Sequence, residues 1–190
     1  MKKLLVLVLV LGMASMAMAV PSFRVAPADA KDTYLPSDII VIQLVNPTLD
    51  LPVVSMTIDA ISDNGEDALG TAAAPQVFNA NFGTIFPGLL NADGVLVKFM
   101  GASDTTIPAR GASGILYSFV YHVPDVPFST MIHIQTYDDG EVGNYYPASL
   151  VYQNGTTFDG TLGGLAIHVT PEPATIALLG LGGLLLRRKK

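Results

Sequence analysis

Ile115-Leu-Tyr-Ser-Phe-Val-Tyr-His-Val123 decides the fold. Most of its positions are β-branched or aromatic, and neither Gly nor Pro interrupts it. The run is too short for an ordinary amphipathic helix and shows no 3.6-residue stripe, whereas a period of two divides it cleanly. On that period Ile115, Tyr117, Phe119, Tyr121 and Val123 share one face, and Leu116, Ser118, Val120 and His122 the other. The second face is still apolar enough to predict a central strand buried on both sides.

The same grammar extends outward in both directions. Extended runs are predicted at Ile39–Val45, Val53–Ile61, Gln76–Phe82, Val95–Met100, Thr130–Tyr137, Ser149–Tyr152 and Leu165–Val169. In Thr130–Tyr137, Ile132 and Ile134 alternate with His133 and Gln135, the pattern of a sheet with one wet face. Asn64-Gly65, Asp93-Gly94, Asp139-Gly140 and Asn154-Gly155 are turn dipeptides between such runs. A single helical turn is predicted near Thr84–Leu90, limited by Pro87-Gly88. About eight strands in roughly 150 residues predict an all-β fold, an antiparallel Ig-like sandwich.

Charge is divided unevenly along the chain. The formal net charge is -6, from 10 Lys and Arg against 16 Asp and Glu. Lys2, Lys3 and Arg187, Arg188, Lys189 and Lys190 hold six of the ten cations. Only Arg24, Lys31, Lys98 and Arg110 remain between them, against all 16 acids, so the body carries -12. Such a body repels phosphate backbones, which argues against nucleic acid as a partner. There is no Cys, so neither disulfides nor thiol chemistry contributes.

The two ends differ from the body. Lys2 and Lys3 precede the apolar run LLVLVLVLGM, and Ala17-Met18-Ala19 offers a small-residue exit. This is the three-part layout of a secretory signal peptide over 1–19, with cleavage expected between Ala19 and Val20. A sandwich ectodomain is then expected over 20–169. Residues 170–190 open on Thr170 and Pro171-Glu172-Pro173, stiff and acidic, and continue through an uncharged apolar segment, 174–186, to the basic stop at 187–190. Twelve or thirteen helical residues cover about 18–20 Å, short of the roughly 30 Å hydrocarbon core, so this transmembrane helix is expected to anchor weakly. Basic residues at both ends place both on the cytoplasmic side and the acidic body outside.

Chemistry-bearing motifs are sparse. Asp59, Asp63, Glu66 and Asp67 crowd one loop and are candidate calcium ligands, since calcium takes six to eight oxygens. Their spacing departs from the D-x-[DN]-x-[DN]-G pattern, and Asp63-Asn64-Gly65 is first of all a turn; the plainer expectation is a solvated loop and no cofactor. His122, His133 and His168 form no H-E-x-x-H or other short-range pair. No G-x-S-x-G elbow occurs, and Gly111-Ala112-Ser113-Gly114 precedes a strand instead. The chain is therefore expected not to be an enzyme. Among the loop aromatics, Tyr145 and Tyr146 are the candidates for stacking on a glycan.

Pro171-Glu172-Pro173, the Leu- and Gly-rich segment and the terminal Arg-Arg-Lys-Lys together resemble the PEP-CTERM sorting signal. That resemblance implies recognition by a membrane protease-transpeptidase of the exosortase kind, removal of the tail near the tripeptide, and delivery to the cell surface or extracellular matrix in bacteria that make exopolysaccharide. The protein would meet the secretion machinery first, sit in the inner membrane through its tail during processing, and be extracellular afterwards. Leu35-Pro36-Ser37-Asp38 leading into IIVIQLV, together with Leu116–Tyr121 and Ile132-His133-Ile134, is similar to cohesin-like and carbohydrate-binding β-sandwiches. The expectation is a non-catalytic binding or structural module for polysaccharide or a protein partner. The alternative is a secreted hydrolase of extracellular glycans built on the same sandwich, which would need carboxylates or His converging in a cleft.

Overall fold

The computed structural model describes residues 20–47, 51–65, 67–138 and 146–172. The expected signal peptide, Glu66, Tyr145 and the tail from Pro173 onward, with both expected terminal helices, lie outside them. Among the described residues there are twelve strands and no helix. They are β1 Ser22–Val25, β2 Ile39–Asn46, β3 Val53–Ser62, β4 Thr71–Phe78, β5 Thr84–Phe86, β6 Leu89–Leu90, β7 Val97–Ser103, β8 Gly114–His122, β9 Thr130–Tyr137, β10 Ala148–Tyr152, β11 Thr157–Gly160 and β12 Leu165–Val169. All named pairings are antiparallel.

One sheet has the order β1-β2-β8-β4. The other runs β11-β10-β3-β7-β5, with β6 beside β7, β9 beside the end of β3, and β12 outside β9. β3 organises the larger sheet because it is long enough to change partners. Its first half lies against β10 up to Ile58, and Ala60–Ser62 lies against β9. Between the sheets pack Ile40, Ile42, Leu44, Met56, Ile58, Phe119, Ile132, Ile134 and Leu150, all 2 % exposed or less. Close packing of large apolar side chains from both inner faces is what lets a Cys-free domain stand.

β8 is central, as its sequence predicts, with β2 on one side and β4 on the other. It is not buried on both faces, and here the expectation is corrected. Tyr117, Phe119 and Tyr121 face the core, while Ser118, Val120 and His122 are half-buried on the outer side. The simple alternation also fails at the strand's start. Leu44 pairs with Tyr117 but Val45 pairs with Ile115, so Leu116 is the extra residue of a β-bulge. The bulge turns Leu116 fully into the core and leaves Ile115 40 % exposed.

Two further expectations are corrected. The strand predicted at Gln76–Phe82 starts earlier, at Thr71, and Phe82 is buried in the turn after it, its N–H bonded to Asn79 O. β4 opens on Ala72-Ala73-Ala74, poor strand formers, and its register against β8 shifts between Ala73 and Val77. A side chain supplies what propensity does not. Ala72 N–H donates to Asn91 Oδ1 and Asn91 Nδ2 donates to Ala72 O, each at 2.7 Å, so one amide pairs with β4 as a strand would. The helical turn predicted near Thr84–Leu90 is instead β5 and β6, both paired with β7. Gly88 divides them at φ +78°, and a Cβ there would stand 2.7 Å from Lys98 O.

Candidate functional site

The end of the sandwich from which the tail leaves is assembled from distant parts of the chain. β12 ends at Val169, which pairs with Thr130 at the start of β9. On its other side Tyr34 forms a parallel bridge with Val169. Tyr34 N–H donates to His168 O at 2.8 Å, and Thr170 N–H donates to Tyr34 O at 2.9 Å. The Tyr34 ring is 3 % exposed, and its hydroxyl accepts from Lys31 N–H.

Asp38 sets the loop that carries Tyr34. Its Oδ2 accepts from Leu35 N–H at 2.9 Å and from Lys31 Nζ at 3.0 Å. The Leu35 N–H chiefly, and then the Lys31 ammonium, hold the carboxyl below the usual carboxylate range against the opposing effect of burial. The clasp ends at Thr170, one residue before the sorting tripeptide. Pro171 is buried, whereas Glu172 is exposed; Pro173 and the basic stop lie outside the described residues. The accessibility expected of the tripeptide therefore begins at Glu172.

The acidic loop lies at the same end, where β3 finishes. Asp63 is 4 % exposed. Its Oδ1 accepts from Leu69 N–H at 2.8 Å, and its Oδ2 from Gly70 N–H at 2.7 Å and from the Tyr121 hydroxyl at 2.6 Å. Burial, and then the Asp63 carboxylate, push ionisation of Tyr121 far above its ordinary value. Gly70 is demanded by close approach, since a Cβ there would lie 2.5 Å from the Tyr121 ring. Asp63 thus closes its own loop and ties it to the opposite sheet.

The other candidate calcium ligands are dispersed in environment. Asp59 is buried within β3 and Asp67 is exposed, its carbonyl accepting from Asn64 Nδ2. Among the described residues no three His, Asp or Glu gather as metal ligands. A cation at Asp63 would have to displace N–H and O–H donors already facing both of its oxygens.

Two shallow depressions flank Met131 on the outer face of β9 and β12. One, of about 560 Å³, is lined by Asp63, Asn64, Leu69, Met131, His133 and Gln135. The other, of about 310 Å³, is lined by Lys31, Asp32, Tyr34, Met131, Leu165 and His168. Ser129 Oγ lies 2.6 Å from His168 Nε2, and among the described residues no carboxylate hydrogen-bonds that ring. His122 and His133 stand apart on other strands. Tyr146 is 52 % exposed just before β10.

Sequence reasoning missed Tyr34, Tyr121 and Asn91 as organisers. Each acts on a partner far away in the chain, and no local pattern marks it.

Fold and exit together define an all-β, antiparallel sandwich joined without a spacer to a sorting tail. The model of the PEP-CTERM protein-sorting motif matches residues 169–190, which marks the chain as exported. The body is similar in chain path to the type II cohesin A11 from Bacteroides cellulosolvens, at 12 % identity over 80 % of this chain and 99 % of that one, with a TM-score of 0.49. It is also similar to the cohesin module of a family 33 glycoside hydrolase from Clostridium perfringens, at 14 % identity, 81 % and 99 % coverage, and a TM-score of 0.47. The second type II cohesin module of the cellulosomal adaptor ScaA scaffoldin of Acetivibrio cellulolyticus gives 11 % identity, 83 % and 96 % coverage, and 0.47. No curated protein matches the chain in sequence.

Proposed function

We propose that this is an exported protein whose tail anchors it in the inner membrane until an exosortase-type enzyme removes the tail near Glu172, after which the sandwich works at the cell surface or in the extracellular matrix. The sandwich acts as a non-catalytic binding or structural module toward a protein partner or extracellular polysaccharide. The observation that carries this reading is the junction: a matched sorting motif begins on the last strand of a packed domain, and its glutamate is the first exposed residue after it. The surface supports binding over catalysis. Its depressions are shallow, its histidines are scattered, and among the described residues no carboxylate bonds the His168 ring of the Ser129–His168 pair. A hydrolase of extracellular glycans would need such groups to converge.

A glycan array probed with the secreted chain, with and without calcium, tests the module. Binding that Tyr146→Ala abolishes would place polysaccharide on the Tyr146 side. Silence on every glycan assigns the sandwich to a protein partner or a structural role, and turnover of any glycan would overturn the non-catalytic reading.

A further inference from the structure

The exit end exposes apolar side chains where loops are ordinarily polar. Val169 pairs with Thr130 and Ser129 Oγ meets His168 Nε2, so Phe128 lies in the loop that enters β9 on one side of the departing chain. The parallel bridge of Tyr34 to Val169 sets Leu35 beside Thr170. Phe128 is 71 % exposed and Leu35 46 %, and they flank the departing chain from two sides. Ile39, 61 % exposed, opens β2 at the same end, where Ser37 N–H donates to Val123 O. Neither flanking residue hangs on a loose loop. Thr130 Oγ1 donates to Phe128 O and Ser129 meets His168, while Asp38 holds Leu35 by its N–H.

Reach then decides what these side chains face. From Pro171 to Ala174, where the apolar segment begins, there are three residue steps, about 10 Å when fully extended. The headgroup layer on each side of a bilayer is about 5–8 Å thick. A tail anchored through 174–186 therefore leaves the exit end of the domain at most about 2–5 Å beyond the headgroups, less than the length of one side chain. We infer that, while the tail is attached, the sandwich sits on the bilayer with its exit end down, Leu35 and Phe128 dipping into the headgroup layer from the two loops that flank the end of β12. This rests on the anchoring role of the tail proposed above. The attachment is apolar, since Asp32, Asp38 and Asp125 lie in the same loops and the Lys31 ammonium is engaged by Asp38. Added salt therefore does not release it.

The chain contains no Trp, so Phe128→Trp and Leu35→Trp each give a single emitter. The chain from Val20 to Lys190, without the expected signal peptide, is placed in phosphatidylethanolamine–phosphatidylglycerol vesicles with chains brominated near the headgroups. Ile107→Trp is the control, at a site 99 % exposed between β7 and β8 at the opposite end. Both exit probes should be quenched and blue-shifted relative to the control, at low and high salt alike. Because Trp itself favours interfaces, hydrogen exchange on the unaltered chain is the second measurement; residues 33–38 and 126–130 should exchange more slowly on vesicles than in detergent.

Probes as wet as the control on chains that float with the vesicles, or unchanged exchange, would overturn the seat and leave the anchor standing. Release of the probes by salt would overturn its apolar character. Failure of the chain to float would remove the anchor and the seat together.

Discussion

The Tyr121 hydroxyl donates to the Asp63 carboxylate over 2.6 Å, and this bond joins the two sheets at the end from which the tail leaves. Asp63 follows β3 of the larger sheet, and Tyr121 is the last core-facing residue of β8 in the smaller one. Because both groups are buried, neither can exchange its partner for water. Tyr121→Phe should cost about 1–3 kcal/mol. Asp63→Ala, which also strands the N–H groups of Leu69 and Gly70, should cost about 3 kcal/mol or more. Urea unfolding checks both, and a chelator should leave each loss unchanged. A loss that appears only when calcium is present would make Asp63 a metal ligand first and a clasp second.

Tyr152 offers the opposite case. It is 2 % exposed, and among the described residues its hydroxyl has no hydrogen-bond partner. Burial alone raises its ionisation above the ordinary tyrosine value. Tyr152→Phe should therefore be neutral or stabilising by about 1 kcal/mol. The two Tyr→Phe changes remove the same atom and should move the urea midpoint in opposite directions, or one of them not at all.

Asn91 closes the open side of β4 through the backbone of Ala72. Asn91→Ala should cost about 1–2 kcal/mol and leave a bare strand edge, which favours self-association. Asn91→Asp keeps the acceptor for Ala72 N–H but points a second oxygen at Ala72 O, so it should not rescue the loss. Unfolding and light scattering on the two variants separate pairing from simple packing.

Asp104 should contribute to the acid sensitivity of the domain. Its carboxylate accepts from Thr106 N–H, Thr106 Oγ1, Arg110 N–H and Gly111 N–H. The Thr106 N–H foremost, and then the Gly111 N–H, hold its pKa at about 2. A carboxyl depressed in the folded state stabilises it above the unfolded pKa, and that contribution disappears as pH falls from about 4 towards 2. Asp104→Asn should flatten the fall of the urea midpoint over that window. An unchanged slope would mean that the 104–111 loop does not report on folding.

Much of the architecture was legible because apolar alternation is dictated by the pleat. The centrality of β8, the wet face of β9 and the position of β12 all follow from it. The misreadings trace to particular residues. Leu116 enters the core through a bulge that no alternation rule anticipates, and Ala72–Ala74 lie in a strand because β8 pairs with one side of it and Asn91 bonds Ala72 on the other. Thr84–Leu90 reads as a helical turn limited by Pro87-Gly88, yet Thr84–Phe86 and Leu89–Leu90 are extended by pairing with β7. At the candidate site, the sorting tripeptide was legible from its residue order. The clasp on Thr170 was not, because Tyr34 lies 136 residues from it and nothing near either one announces the bond. Asp63 was seen as one acid among several; only the fold shows Tyr121 facing it.

The central claim is that the sandwich is delivered outside the cell by cutting the tail that begins at Pro171. Intact-mass spectrometry of the protein isolated from the cell surface, as the unaltered chain and as Glu172→Ala, tests it most directly. The unaltered chain should end at or beyond Pro171 and lack the apolar segment and Arg187–Lys190, while Glu172→Ala should keep both and stay with the membrane. Surface protein that still carries Lys190, or a Glu172→Ala chain trimmed like the unaltered one, would contradict the account.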